Sequence, residues 1–136
     1  MRKKQDLTPA PPDDPNIMAA GLLYDLALLQ PAERSRFGYI RAAKTIATGI
    51  ESSVRDLVGQ GTLRDVPFVG PSSARIVTEF VETGHSSTVR DRLAASPARG
   101  EVERRRAFRR AYLSRHAMRA ALAATAAPHV IGRETY

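Results

Sequence analysis

The sequence predicts an all-α protein, a compact helical bundle followed by a long arginine-rich helix. Three observations lead there. Apolar residues recur at helical spacing in one segment after another. Proline, glycine and small hydroxyl or acidic residues stand at the ends of those segments, where helices start and stop. No stretch shows the strict alternation of a half-buried strand. A chain of 136 residues is long enough to bury a core without staples. The chain contains no cysteine, so neither disulfides nor thiolate metal sites contribute.

Residues 1–13, rich in proline and charge, read as a disordered lead-in. They hold no apolar core of the kind a secretion signal needs, and no run in the chain has the ~20 apolar residues of a membrane span. We therefore expect a cytoplasmic protein. Asp14-Pro15 supplies an N-cap and a proline at the first helical position. The following segment, Asn16 to Gln30, is apolar nearly all round, as a central helix is, and Pro31 stops it. A second helix, Ala32 to Thr48, puts Tyr39, Ala43 and Ile46 on one side and Arg41, Lys44, Thr45 and Thr48 on another. A third, Glu51 to Val58, has Val54, Leu57 and Val58 as its inner stripe and Gly59-Gln60-Gly61 as its stop. A fourth, Pro71 to Thr83, turns Ala74, Val77, Phe80 and Val81 inward before Gly84. A short fifth spans Ser87 to Ala95. Ser96-Pro97 then opens one long helix reaching Ala124, with Phe108, Ala111, Tyr112, Met118 and Leu122 as its apolar stripe.

Charge is unevenly placed. Residues 1–96 carry 12 Lys+Arg against 11 Asp+Glu, whereas residues 97–136 carry 9 arginines against 3 glutamates. The excess of positive charge lies in the C-terminal segment and suits nucleic acid, an acidic protein surface or another domain. Arg104, Arg105, Arg106, Arg109 and Arg110 wrap about 240° of a helix, so only a subset, such as Arg105, Arg106 and Arg109, can meet one partner together. Packing against another domain or solvation is the favoured reading of this cluster. The histidines at 85, 116 and 129 are scattered with no metal-binding spacing, and no serine lies in a nucleophile elbow.

One connection stands apart. Between the third and fourth helices lies DVPFVGPSSARI, Asp65 to Ile76, with two prolines, a phenylalanine and a glycine between positions 67 and 71. Helix, Val-Pro-x-Val-Gly turn, helix is the outline of a helix-hairpin-helix. Such a turn aims successive backbone N–H groups outward, and the second helix adds the positive end of its dipole. Together they form a seat for a phosphate oxygen that ignores base identity. The seat is expected from Val69, Gly70, Ser72, Ser73 and Arg75, with Arg41, Lys44 and Arg64 supplying further charge. Phe68 is available to stack on a base or ribose. A tight loop between two core helices is the plain structural alternative.

The segments GYIRAAKTIA and LRDVPFVGPSSARIVTEFVETG match, in order and spacing, a known pattern. The run from Phe37 to Thr83 resembles the N-terminal 8 kDa domain of DNA polymerase beta and other family X polymerases, and with the first helix the resemblance covers about residues 15–95. It implies binding of single-stranded or gapped DNA through the hairpin, in DNA repair or processing. It also implies a monovalent cation at hairpin carbonyls, here those of Arg64, Val66 and Val69. The repair members use lysines to remove a 5′-deoxyribose phosphate through a Schiff base. At the matching positions this chain has Ile76, Ser72 and His85. Phe68 stands where the pattern has the first glycine of the turn. The arginine-rich helix followed by HVIGRETY is similar to the segment joining such a domain to a PHP metallohydrolase domain in bacterial proteins. Three regions are thus expected: residues 1–13 as lead-in, 14–96 as the hairpin domain, and 97–136 as a linker toward a PHP-type domain.

The primary expectation is a non-enzymatic, sequence-independent DNA-binding module without a cofactor or any other metal. The alternative is a docking module without DNA binding, with Phe68 and the arginine-rich helix meeting a PHP domain or another subunit. The third reading is a lyase using Lys44, the one lysine beyond the N-terminal tail, which lies off the matching position. A Schiff base needs a partly desolvated amine. Incubation with abasic DNA and borohydride is expected to trap no covalent adduct, and an adduct lost in Lys44→Ala would establish the lyase.

Overall fold

A computed structural model describes residues 14–117. Every element in it is helical: α1 (Pro15–Leu28), α2 (Glu33–Thr48), α3 (Val54–Gln60), α4 (Pro71–Thr83), α5 (Ser87–Ala95), α6 (Arg99–Arg104) and α7 (residues 106–117). A single 3-10 turn, Leu63–Asp65, joins α3 to α4. No helix among the described residues is long and apolar enough to cross a membrane.

The ends form where the side chains satisfy free backbone donors. Asp14 accepts from the N–H groups of Asn16 (2.8 Å) and Ile17 (3.3 Å), with Pro15 at the first position. Ser53 caps α3 and Ser86 caps α5. Gly61 (φ 73°) and Gly84 (φ 89°) end α3 and α4 in the left-handed conformation that glycine takes without steric cost.

α1 is the centre. It packs chiefly on α2, and both helices bury alanines in the shared core: Ala19, Ala20 and Ala27 on α1, Ala42, Ala43 and Ala47 on α2. Small side chains let two helix backbones approach closely. Ile17, Leu23, Leu26 and Ile46 fill the space around them, and Val77, Ile76 and Phe80 of α4 close the core. The Asn16 carboxamide clamps α3 to the start of α1: its oxygen accepts from Val54 N–H (2.8 Å) and its nitrogen donates to the Ser52 carbonyl (3.0 Å). Glu79 ties α4 to α5, accepting from both the hydroxyl and the N–H of Ser87. Those two bonds, the hydroxyl's first, hold the Glu79 carboxyl below its ordinary value.

The C-terminal segment differs from its expected form. The helix breaks at Arg105 into α6 and α7 rather than running unbroken. Its inner face is only partly the apolar stripe expected: Tyr112 packs against the core, but Phe108 does not. Phe108 is 63% exposed, while Val102, Arg109 and Leu113 are buried. Met118 and Leu122, and the expected end of this helix at Ala124, lie outside the described residues. Leu113 belongs to the same core cluster as α1 and α4, so the core extends past the boundary expected at residue 96.

A buried charge accounts for the shift. Asp25, in the middle of α1 and 1% exposed, accepts from Arg106 Nε (2.8 Å) and from an Arg109 terminal nitrogen (2.9 Å). The same Arg109 nitrogen also donates to the Val102 carbonyl (2.6 Å) across the α6–α7 break. Arg110 lies over Gly21, where an added Cβ would come within 3.1 Å of its Nε. Burial, then the neighbouring Arg106, pushes the Arg110 guanidinium below its ordinary value. A carboxylate this buried is stable only while its cations stay in place. Asp25→Ala strands two guanidinium groups, and a loss of about 3–5 kcal/mol is expected in urea or thermal unfolding. A loss under 1 kcal/mol would show that the arginines re-solvate freely.

Candidate functional site

The α3–α4 connection is built from its buried valines outward. The 3-10 turn seats Leu63 in the core, and Val66 and Val69 follow it inward. Between them the chain makes a tight turn, closed by a hydrogen bond from Val69 N–H to the Val66 carbonyl (3.2 Å). With Val66 and Val69 both anchored, Phe68 is forced outward and into the left-handed region, at φ 68°. It is the one described residue other than glycine with positive φ. For a phenylalanine that conformation costs on the order of 1 kcal/mol. Phe68, which stands where the resembled pattern has a glycine, thus holds a conformation that glycine takes without steric cost.

Arg41 lies beside it. Its guanidinium carbon is 4.7 Å from the centre of the Phe68 ring, a cation–π contact between α2 and the turn. Even so, Phe68 remains 58% exposed. One face of α2 carries Arg34, Gly38 and Arg41, and together with Phe37 and Phe68 these residues line one shallow depression of about 570 Å³. Phe37 is 60% exposed. Glu33, in the first turn of α2, is the acidic residue of the lining.

Next to this depression is the start of α4. Gly70 is its N-cap residue, and its backbone (φ −86°, ψ −174°) is one that any residue can adopt. An added Cβ there would meet no atom within 4 Å. The fold thus gives no reason for glycine at position 70. No side chain caps this helix, and Pro71 occupies its first position. The N–H groups of Ser72 and Ser73 are the ones helix geometry leaves without an intrahelical acceptor. The Ser72 hydroxyl and the Tyr39 hydroxyl are 2.6 Å apart in a hydrogen bond that either can donate. That bond ties the middle of α2 to the mouth of α4.

The expected site residues separate into groups. Val69 is buried and its N–H is already bonded to Val66, which removes it from the set of free donors. Ser73 is buried, which withdraws its hydroxyl and leaves its N–H. Gly70 and Ser72 stay at the mouth of the helix. Arg41 joins Phe68. Arg64 and Arg75 are exposed and line a second depression together with Pro71, Glu79 and Glu82, sharing no residue with the first. Lys44 is exposed one turn beyond Arg41 and lines neither. Of the three carbonyls assigned to a cation, that of Val66 accepts the Val69 N–H. Among the described residues no group of three or more His, Asp or Glu side chains is arranged to hold a metal.

Sequence reasoning missed Arg34, Phe37 and the Tyr39–Ser72 bond. The spacing Arg34, Gly38, Arg41 on a helix whose first turns are polar was the available signal. The arginine cluster is largely engaged within the chain: Arg106 and Arg109 by Asp25, Arg104 and Arg105 by Glu101, and Arg99 by Glu103. The last three pairs are exposed and contribute little.

Comparing Phe68→Gly with Phe68→Ala isolates the backbone strain, since both lose the ring. The glycine variant should be the more stable by about 1 kcal/mol in urea unfolding. Equal stabilities would mean the turn relaxes around alanine. Searches against protein-family models, curated proteins and solved structures found no match for this chain.

Proposed function

We propose that this chain binds DNA without regard to sequence, holding a backbone phosphate at the start of α4. The observation that carries this reading is the mouth of that helix: an uncapped N-terminus, a glycine that the fold does not require, and Arg41 beside the turn. A phosphate oxygen there accepts from the N–H groups of Ser72 and Ser73 and gains from the helix dipole. Gly70 keeps the approach open. Arg41 adds charge from one side, and Arg64 and Arg75 from the other. The resemblance of Phe37 to Thr83 to the N-terminal domain of family X polymerases supports the same reading. On it, the module serves DNA repair or processing and directs a linked PHP-type enzyme to DNA.

A second reading is favoured by a separate observation. Leu28 and Phe108 are exposed, and with Tyr24, Val102 and Tyr112 they line an apolar groove where α1 meets α6 and α7. A docking module would use that groove and would not need DNA.

The two readings part in a binding experiment with fluorescein-labelled single-stranded, duplex and 5′-phosphorylated gapped DNA over a salt series. The phosphate reading expects binding that weakens linearly on a log–log plot as salt rises. Gly70→Asp is the decisive variant. Its carboxylate takes the N–H groups at the helix mouth as an ordinary N-cap, so the fold should be as stable as before or more so. DNA binding should fall at least about tenfold, because the seat is filled by a like charge. Unchanged binding in Gly70→Asp would move the phosphate elsewhere, and no binding to any DNA at low salt would leave the docking reading.

A further inference from the structure

Phe37 and Phe68 are two of the three phenylalanines that the fold leaves largely in solvent, and these two line the same depression. Neither is used by the core. Phe68 reaches this position only through a left-handed backbone that glycine would adopt without strain. Gly38 also lines it, and an added Cβ there would meet nothing within 4 Å, so that part of the depression is open. Arg41 sits over the Phe68 ring and fixes it, and Arg34 brings a second guanidinium to the rim. Exposed aromatic faces flanked by arginines, beside a seat for phosphate, fit the two halves of a nucleotide.

We propose that this depression is a nucleobase slot, taking one unpaired base of single-stranded DNA against Phe37 and Phe68 while its phosphate lies toward the start of α4. The proposal rests on the phosphate reading above and adds the base as a second recognised group. Paired bases present their faces only to their neighbours in the stack, so the slot selects unpaired strand over duplex. Any base offers a π-face, so it remains indifferent to sequence. Arg41 takes part twice, by orienting the Phe68 ring and by carrying positive charge near the phosphodiester. Glu33 opposes the strand's charge at the rim.

The test compares a fluorescein-labelled oligothymidylate with an abasic oligomer of the same length, which carries the same phosphates and no bases, at one low salt concentration. The wild-type chain should bind the oligothymidylate about 5- to 100-fold more tightly than the abasic strand. Phe37→Ala and Phe68→Ala should each remove most of that difference and leave abasic binding within about twofold. Both rings are exposed, so circular dichroism should report an unchanged helical fold, and Phe68→Gly serves as the unstrained version of the same loss. Glu33→Gln should strengthen binding to both strands. Equal affinity for the two strands, or Phe37→Ala and Phe68→Gly variants that keep the full preference, would overturn the slot and leave the phosphate seat standing. Binding of neither strand at low salt would overturn both. Binding of the oligothymidylate alone would support the slot and overturn the seat.

Discussion

The carboxylate of Asp25 is the constraint around which the rest of the molecule is arranged. It sits in the most buried helix, where every other inward side chain is apolar. A charge in that place must be met by opposite charge at hydrogen-bonding distance. The two arginines that meet it come from residues more than eighty positions later in the chain. The sequence thus commits its C-terminal segment to lie along α1, with Leu113 completing the core and Gly21 making room for Arg110. Replacing such a triad by apolar residues would often cost nothing. What the triad adds is register, because only one alignment of α7 on α1 brings both guanidinium groups to the same carboxylate.

With α1 fixed, α2 lies on its alanine face and carries Tyr39 and Arg41 to the α3–α4 turn. The turn has two anchors in the core, Val66 and Val69, and one residue pushed out between them beside Pro67. Strain at Phe68 is the result of packing on either side of it, and the Arg41 contact recovers part of the cost. Local strain of this kind is kept only where the surroundings over-determine it. Here the buried valines do so from within, and the guanidinium does so from α2.

Most of the helices were legible in the sequence. The cap at Asp14, the prolines at 15 and 71, and the glycines at 61 and 84 act through local chemistry that a sequence states directly. The break at Arg105 was not legible, since Glu-Arg-Arg-Arg-Ala is good helix-forming sequence. At the break Arg109 reaches back to the Val102 carbonyl and across to Asp25, and the second of these contacts joins distant parts of the chain. The same segment turns Phe108 outward and Arg109 inward, while Tyr112 keeps its expected place against the core. The turn was legible as a turn, and its donors were legible in kind. Which of them remain free was not, because the Val69–Val66 bond and the Tyr39–Ser72 bond depend on tertiary placement.

The bond between Tyr39 and Ser72 has a practical consequence. The chain has no tryptophan and only four tyrosines, at positions 24, 39, 112 and 136. Tyrosine is then the dominant native fluorophore, and one of the four is wired by its hydroxyl to the mouth of α4. Emission from a phenol depends on what its hydroxyl is bonded to. A change at that helix mouth is therefore written into the ultraviolet emission of the unlabelled protein. Replacing the other three tyrosines with phenylalanine would leave a molecule whose glow reports on a single hydrogen bond.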